Sequence, residues 1–166
     1  LTVSGLIACA AVALLVPLNY WLYDREMSEE LHSTLSALCK MTLALIGGLL
    51  IFQVMKIMGG FSTEFTENPE AMQLLVRGDY SLNFWLGEIG LAVALPVALI
   101  FASRGGRRPG IIALAGVCIL AGVFVMFYDL IVVGQLIPHF QAYDLYGYPE
   151  FYSYRPSLHE LIMGAG

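Results

Sequence analysis

The sequence predicts an all-α protein built as a polytopic transmembrane helix bundle. Of its 166 residues, 58% are hydrophobic and only 13% are charged, and the mean hydropathy is +0.75. A soluble domain usually carries about 25% charged residues, so much of the expected charge is missing. In addition, four apolar stretches are each long enough to cross a hydrocarbon core of roughly 30 Å as a helix. These two observations favour an integral membrane protein.

The apolar stretches divide the chain into four full spans and the start of a fifth. We predict full spans at about 1–22, 33–58, 82–103 and 110–136, and a truncated one at 157–166. As a helix, 157–166 would extend only about 15 Å, half of the hydrocarbon core. Leu1 is also not an initiator methionine. We therefore expect a single transmembrane domain that is a fragment of a longer subunit.

Local signals mark the ends of the first two spans. The first span closes with Tyr20, Trp21 and Tyr23, and such aromatics form a belt at membrane interfaces. Ser28-Glu29-Glu30 is a suitable helix start before the second span.

In the polar loop 59–81, which follows the second span, Pro69 opens a segment with apolar residues on one side. This pattern predicts a short amphipathic helix at the interface over 69–76.

The third and fourth spans are joined by the most basic stretch of the chain. The third span has Trp85 near its entry and Pro96 inside it, and it ends before Arg104-Gly105-Gly106-Arg107-Arg108. The fourth span carries small residues at Ala113, Gly116 and Gly122, which are typical of close helix contacts in lipid.

Arginine in the short loops predicts the orientation. The Arg104–Arg108 loop holds three arginines, and Arg25 lies in the loop on the same face. Loops rich in lysine and arginine stay in the cytoplasm, so we place this face inside a prokaryotic cytoplasmic membrane. The loops 59–81 and 138–156 then lie outside. The net charge of −5 is small and there is no basic patch, so a nucleic-acid partner is not expected.

The residues that could bind metals or haem are scattered. Cys9, Cys39 and Cys118 lie in separate apolar runs without CxxC spacing, so we interpret them as small buried hydrophobes. We accordingly expect no iron–sulfur cluster or structural zinc in this chain. Haem is not expected either, because no two histidines lie mid-membrane on different helices.

Ionisable residues inside the spans are the strongest functional signal. Each costs at least about 2.5–3.5 kcal/mol at the middle of a membrane helix, so it is a functional candidate by default. The predicted topology brings most of them to the outer level of the membrane, whereas Lys40 alone is embedded near the inner face. We therefore predict a polar pocket on the outer side. Its members are Lys56, Glu88, Asp129, Gln135, His139, His159 and Glu160.

Each candidate also has a purely structural interpretation. Glu88 could form an ion pair with Lys56 that only locks two helices together, or Lys56 could extend to the interface. Asp129 could make a hydrogen bond between helices. Lys40 could relay protons or be paired structurally. Glu160 suits the N-terminus of a helix, where a carboxylate is favoured.

Three segments carry motifs of a known family of membrane subunits. Ser81–Pro96, with the sequence SLNFWLGEIGLAVALP, is similar to a Trp-x-x-Glu…Pro helix of that family. Tyr128…Gly134-Gln135 resembles its Arg-Tyr…Gly-Gly-Gln helix end, and Tyr154-x-Pro156-Ser157-x-x-Glu160 resembles the entry to its following helix. The family is that of the NrfD-like membrane subunits (the polysulfide reductase NrfD / HybB / DsrP group). The resemblance covers roughly 31–166 and implies the C-terminal half of such a subunit.

Two positions depart from the family pattern. The arginine of the helix end is replaced by Phe127, and the first glycine of Gly-Gly-Gln is replaced by Val133. Any role of that arginine is therefore lost or supplied elsewhere.

The resemblance implies a helical subunit without bound cofactors in a prokaryotic oxidoreductase complex. It would exchange electrons between membrane quinone (menaquinone or ubiquinone) and a peripheral ferredoxin-like iron–sulfur subunit, which connects to a further catalytic or cytochrome subunit. A quinone headgroup needs hydrogen-bonding partners and a nearby proton carrier. We expect Glu88, Asp129 and His159 to take part in proton transfer, and we expect a proton path through Lys40 and Lys56. The expected quinone contacts are Gln135, His139, Tyr154 and Glu160.

Two rival functions fit the same residues. An ion- or proton-translocating, transporter-like subunit would use Lys40, Glu88 and Asp129 as its path. A structural membrane anchor would have no quinone site of its own. A cavity open to lipid would favour quinone chemistry, whereas a water-filled path between the faces would favour transport.

Overall fold

The computed structural model describes residues 2–23, 28–61, 69–105 and 107–135 together with Ser157; at 69–71, 74 and 133–135 it describes the backbone alone. All regular structure in this part of the chain is helical, which confirms the predicted fold class. The helices, in order, are α1 (Thr2–Leu22), α2 (Glu29–Phe61), α3 (Pro69–Arg77), a π-helix (Asn83–Ala94), α4 (Leu95–Ala102) and α5 (Pro109–Gln135).

Four helical segments are long and apolar enough to cross a membrane: Thr2–Leu22, Glu29–Phe61, Asn83–Ala102 and Pro109–Val132. They coincide with the four full spans expected from the sequence, and the protein is a multi-pass membrane protein. The expected fifth span at 157–166 lies outside the described residues, apart from Ser157.

The second helix is longer than its apolar stretch. It begins at Glu29, where the backbone N–H of Leu31 donates to the Ser28 side-chain oxygen (3.4 Å). A serine oxygen in this position satisfies one of the amide groups that a helix start leaves unpaired. With 33 residues, α2 extends about 50 Å, well beyond a hydrocarbon core of roughly 30 Å.

The last helix, α5, is the centre of the bundle. It packs against α1 on one side and against the π-helix and α4 on another, and α2 packs against α1. The core between them is filled by small and branched apolar side chains, among them Leu6, Ala10, Ile46, Ile112 and Ile119. The outer surface is apolar too, with Leu15, Ile51, Phe101 and Phe124 exposed, as a surface in contact with lipid requires.

Two glycines set the distance between the π-helix and α5. A side chain at Gly122 would collide with the backbone of Ala92, and one at Gly87 would collide with Val125. Only a residue without a side chain permits this approach. The two helices therefore run close together over the stretch that carries Glu88 and Asp129.

The π-helix continues into α4 without a break, and the change of winding falls just before Pro96. A proline within a helix lacks a donor and collides with the carbonyl four residues earlier. Wider winding upstream is one of the known ways to accommodate such a break. We attribute the π-helical stretch to Pro96.

The short helix α3 covers one end of the bundle. Leu75 and Phe84 are buried together, with Ile57, Met72 and Ile89 packed around them. The indole N–H of Trp85 donates to the carbonyl of Val76 (3.2 Å) and ties α3 to the π-helix. The amphipathic helix expected over 69–76 is thus present as α3.

The basic turn lies at the opposite end. Arg104 and Gly105 both have positive φ, which closes a tight turn between α4 and α5. Ser103, at the start of this turn, interacts with the thiol of Cys39 on α2. Lys40 follows Cys39 directly, so it lies at the level of the basic turn.

Candidate functional site

A buried carboxylate, Glu88, is the centre of the candidate site. It is fully inaccessible to solvent and lies on the π-helix, beneath the cap formed by α3. Its Oε2 accepts hydrogen bonds from Lys56 Nζ (2.7 Å) and Gln53 Nε2 (2.6 Å). Both donors come from α2, three residues apart, and therefore lie on one face of that helix. Glu88 thus joins α2 to the π-helix.

Lys56 points into the bundle rather than extending to the membrane interface. Its side chain is 15% exposed and forms an ion pair with Glu88 (2.7 Å). Its ammonium group lies 5.3 Å from the ring centroid of Phe84, within the range of a cation–π contact. The ring and the carboxylate both interact favourably with the cationic form of Lys56.

A second buried carboxyl group, Asp129, adds α5 to the site. It is 1% exposed, and its Oδ1 accepts a hydrogen bond from Asn83 Nδ2 (3.2 Å). The Asp129 carboxyl also interacts with Glu88 and with the charge of Lys56. The buried cluster therefore consists of Gln53, Lys56, Asn83, Glu88 and Asp129, contributed by three helices.

The cluster has more acceptors than donors. Within the described part of the chain, Gln53 Oε1, Glu88 Oε1 and Asp129 Oδ2 are buried and have no hydrogen-bond partner. A buried acceptor without a donor costs about 1–3 kcal/mol, and more for a charged group. The cluster can therefore accept hydrogen bonds from a ligand or bind a proton.

An open apolar groove runs beside the cluster. Its volume is about 710 Å³, within the usual range for small-molecule sites. The polar side chain in its wall is that of Asn83, which also donates to Asp129. The other lining residues are apolar and mostly on the π-helix and α4: Leu82, Leu86, Gly87, Gly90, Leu91, Ala94, Leu95, Ala98 and Val125.

The structure brings three of the predicted site residues together and separates one. Lys56, Glu88 and Asp129 meet in the buried cluster. Lys40 is exposed and lies about 24 Å from Lys56 along α2, near the basic turn. The described residues therefore place Lys40 at the opposite end of the bundle from the cluster.

The remaining predicted residues lie beyond the described part. Gln135 ends α5, but its side chain is not among those described. His139, Tyr154, His159 and Glu160 are outside the described residues. Their roles in quinone contact and proton transfer stay predictions.

Sequence reasoning missed the two amides of the cluster. Gln53 could have been found, because it lies three residues before Lys56 within an apolar run and therefore on the same helix face. Asn83 lies five residues before Glu88, a spacing that puts two residues on different faces of an α-helix. In a π-helix, hydrogen bonds join residues five apart, so the wider winding brings these two positions close. Only the structure shows that winding.

The described residues contain no group of three or more histidine, cysteine or acidic side chains that could hold a metal ion. Cys9, Cys39 and Cys118 are separately buried thiols in the core. The polar groups of the buried cluster are carboxyls, amides and an ammonium, which can form hydrogen bonds and, except for the amides, exchange protons.

A family comparison covers the whole cluster. The model of the family described as "Polysulphide reductase, NrfD" matches residues 1–139. The chain belongs to the NrfD family. The matched part of this NrfD protein includes the first span, which the motif resemblance did not cover, and it ends before the Tyr154…Glu160 motif.

One curated relative extends over nearly the entire chain. It is a selenate reductase subunit from Mesobacillus selenatarsenatis, which is 26% identical over 166 residues. The alignment covers 99% of this chain but only 38% of the relative, so the chain spans well under half of that protein. No solved structure matches the chain significantly.

Proposed function

We propose that the protein is the quinone-interacting membrane subunit of a prokaryotic reductase complex. It would exchange electrons between menaquinone or ubiquinone and a peripheral ferredoxin-like iron–sulfur subunit, which connects to a further catalytic or cytochrome subunit. Membership of the NrfD family and the likeness to a selenate reductase subunit support this role. The protein would sit in the cytoplasmic membrane with the Arg104–Arg108 turn in the cytoplasm.

The observation that carries the proposal is the contact between the apolar groove and the buried cluster. A quinone combines a long apolar tail with a headgroup whose carbonyls accept hydrogen bonds. The groove offers an apolar surface of suitable size, and Asn83 is a hydrogen-bonding group in its wall. Because Asn83 also contacts Asp129, a headgroup beside it would lie one residue away from a buried carboxyl.

The cluster would move protons while the partner subunit takes the electrons. Oxidation of a quinol releases two electrons and two protons, so the site needs an acceptor for each. Asp129 and Glu88 are acidic groups with almost no exposure to solvent. A positioned acid or base of this kind typically contributes about 10²–10⁴-fold to a rate. His159 is proposed as a further proton carrier, and Gln135, His139, Tyr154 and Glu160 as further quinone contacts.

One observation favours a second candidate, the structural membrane anchor. Oε2 of Glu88 already has two donors, and the ion pair joins α2 to the π-helix whether or not a ligand binds. An anchor would need nothing more from these residues. Activity measurements distinguish the two functions, because an anchor requires correct folding but no ionisable group at Glu88.

The test is quinol oxidation by the intact complex in native membranes. We expect Glu88→Gln and His159→Ala each to lower the rate by about tenfold or more and to weaken the binding of quinone-site inhibitors. Glu30→Gln is the matched control, since Glu30 is exposed in the first turn of α2. Wild-type rates and inhibitor binding in both variants would refute the proposed site and favour the anchor.

A further inference from the structure

The buried cluster holds two acidic groups but one basic group. Glu88 and Asp129 are 0% and 1% exposed, and the charged groups that act on Asp129 are Glu88 and Lys56. The charged residues of the nearby segment 69–82 that have described side chains, Arg77 and Asp79, are exposed. With both carboxyls ionised, the cluster would carry a net charge of −1 in an apolar surrounding.

The two carboxyl groups also meet without a donor between them. Glu88 uses Oε2 for Lys56 and Gln53, and Asp129 uses Oδ1 for Asn83. Their other oxygens, Glu88 Oε1 and Asp129 Oδ2, have no partner among the described residues, although the two carboxyls interact. Two ionised carboxylates can only accept hydrogen bonds, so such a contact is repulsive. Neighbouring carboxyls in other proteins resolve this conflict by holding one proton together.

We infer that Glu88 and Asp129 bind a single proton between them, carried by Asp129 Oδ2 and donated to Glu88 Oε1. The proton makes the cluster electrically neutral and converts one unpartnered acceptor into a donor for the other. It leaves Glu88 ionised, opposite Lys56. The inference deepens the proposed function, and it rests on that function for the use of the proton during quinol turnover.

The donors already in place determine which group carries the proton. Glu88 receives a hydrogen bond from the ammonium of Lys56 at 2.7 Å and one from an amide, and both stabilise its ionised form. Asp129 receives one bond from the neutral amide of Asn83, at the longer distance of 3.2 Å. The ionised form is therefore better stabilised at Glu88, and the proton resides on Asp129.

Infrared spectroscopy of the purified complex tests the inference directly. The C=O stretch of a protonated carboxylic acid is separate from the carboxylate bands and shifts in D₂O. At neutral pH we expect such a band in the wild type, its loss in Asp129→Asn, and no change in the matched control Asp79→Asn. Absence of a band that depends on Asp129 would overturn the inference.

Two further variants test whether the cluster is electrically neutral, and they can be measured even if Asp129→Asn does not fold. In Glu88→Gln, Asp129 becomes the only carboxylate opposite Lys56, so the band should disappear although Asp129 is retained. In Lys56→Gln, both carboxyls must be protonated for neutrality, so the band should grow about twofold. A band that is unchanged in both variants would also overturn the inference.

The two proposals fail in different ways. The band is measured without quinone and does not depend on turnover. A band that behaves as expected in a complex whose quinol oxidation is insensitive to these residues would contradict the proposed function alone. Conversely, a sensitive activity without the band would contradict the shared proton alone.

Discussion

The two ends of the bundle differ in the exposure of their charged side chains. At one end, Arg104, Arg107, Arg108 and Lys40 are all exposed, close to the turn between α4 and α5. At the other end, about 30 Å along α5, Arg77 and Asp79 are exposed, but Glu88 and Asp129 are buried. The first end follows the ordinary rule that charges leave the membrane at helix ends, whereas Glu88 and Asp129 break it.

The difference shows which charges need a functional explanation. Exposed arginines and lysines at a helix end are solvated or extend to the headgroups at little cost. Buried ions cost several kcal/mol each, and even a good ion pair often does no better than well-packed apolar side chains. Burying the charges around Glu88 therefore contributes little net folding free energy, which supports a role of the cluster in proton exchange.

The largest effect should come from breaking the ion pair on one side. In the full-length protein in detergent, Lys56→Met and Glu88→Leu should each lower the free energy of unfolding by about 3–5 kcal/mol, because each removes one partner of a buried ion pair. The double variant should cost much less than the sum of the two. Additive losses in denaturant titrations would show that the two charges are not coupled.

A smaller loss is expected from separating the π-helix and α5. Gly122→Val places a side chain against the backbone of Ala92, so it should cost about 1–3 kcal/mol of unfolding free energy. Gly110→Val is a suitable control, because a Cβ there meets no described atom of another element within 4 Å. Equal thermal stability of the two variants would contradict the close approach of the helices.

Removing the amide beside the groove should have a moderate effect. Asn83→Ala deletes the described donor to Asp129, and we expect a loss of about 1–2 kcal/mol in unfolding free energy, with weaker inhibitor binding to the complex. Leu86→Ala also changes the groove wall but removes no hydrogen bond. If both variants bind inhibitor equally well, Asn83 has no polar role in the groove.

The smallest effect is expected at the basic end. Lys40→Gln changes an exposed side chain, so the free energy of unfolding should change by no more than about 0.5 kcal/mol and quinol oxidation should be unaltered. A large drop in activity would instead support the proton path through Lys40 that the sequence suggests.

Much of the fold could be predicted from the sequence, because a helix that crosses lipid must be apolar over the thickness of the hydrocarbon core. Apolar length predicted the four helices, and Pro69 with its one-sided pattern predicted α3. The start of α2 was harder to predict, because its first turn is polar and lies before the apolar stretch. Length and hydropathy define where a helix meets lipid but not where it stops.

The candidate site was only partly predictable. Counting residues from the span ends predicted that Lys56, Glu88 and Asp129 lie at one level, and the structure brings their side chains into one cluster. Their pairing depends on which helix faces touch. The glycine contacts explain only the close approach of the π-helix and α5, not the face that α2 presents to Glu88. The part played by Asn83 depends on π-helical winding, for which the α-helical periodicity used in sequence analysis has no signal.

The measurement that tests the central claim most directly is quinol oxidation by the complex carrying Asp129→Asn. The substitution preserves the size of the side chain and its hydrogen bonding but removes the proton that can be exchanged. We expect a fall of about a hundredfold with a normally assembled complex, and a wild-type rate in the exposed control Asp79→Asn. A wild-type rate in assembled Asp129→Asn would contradict the claim.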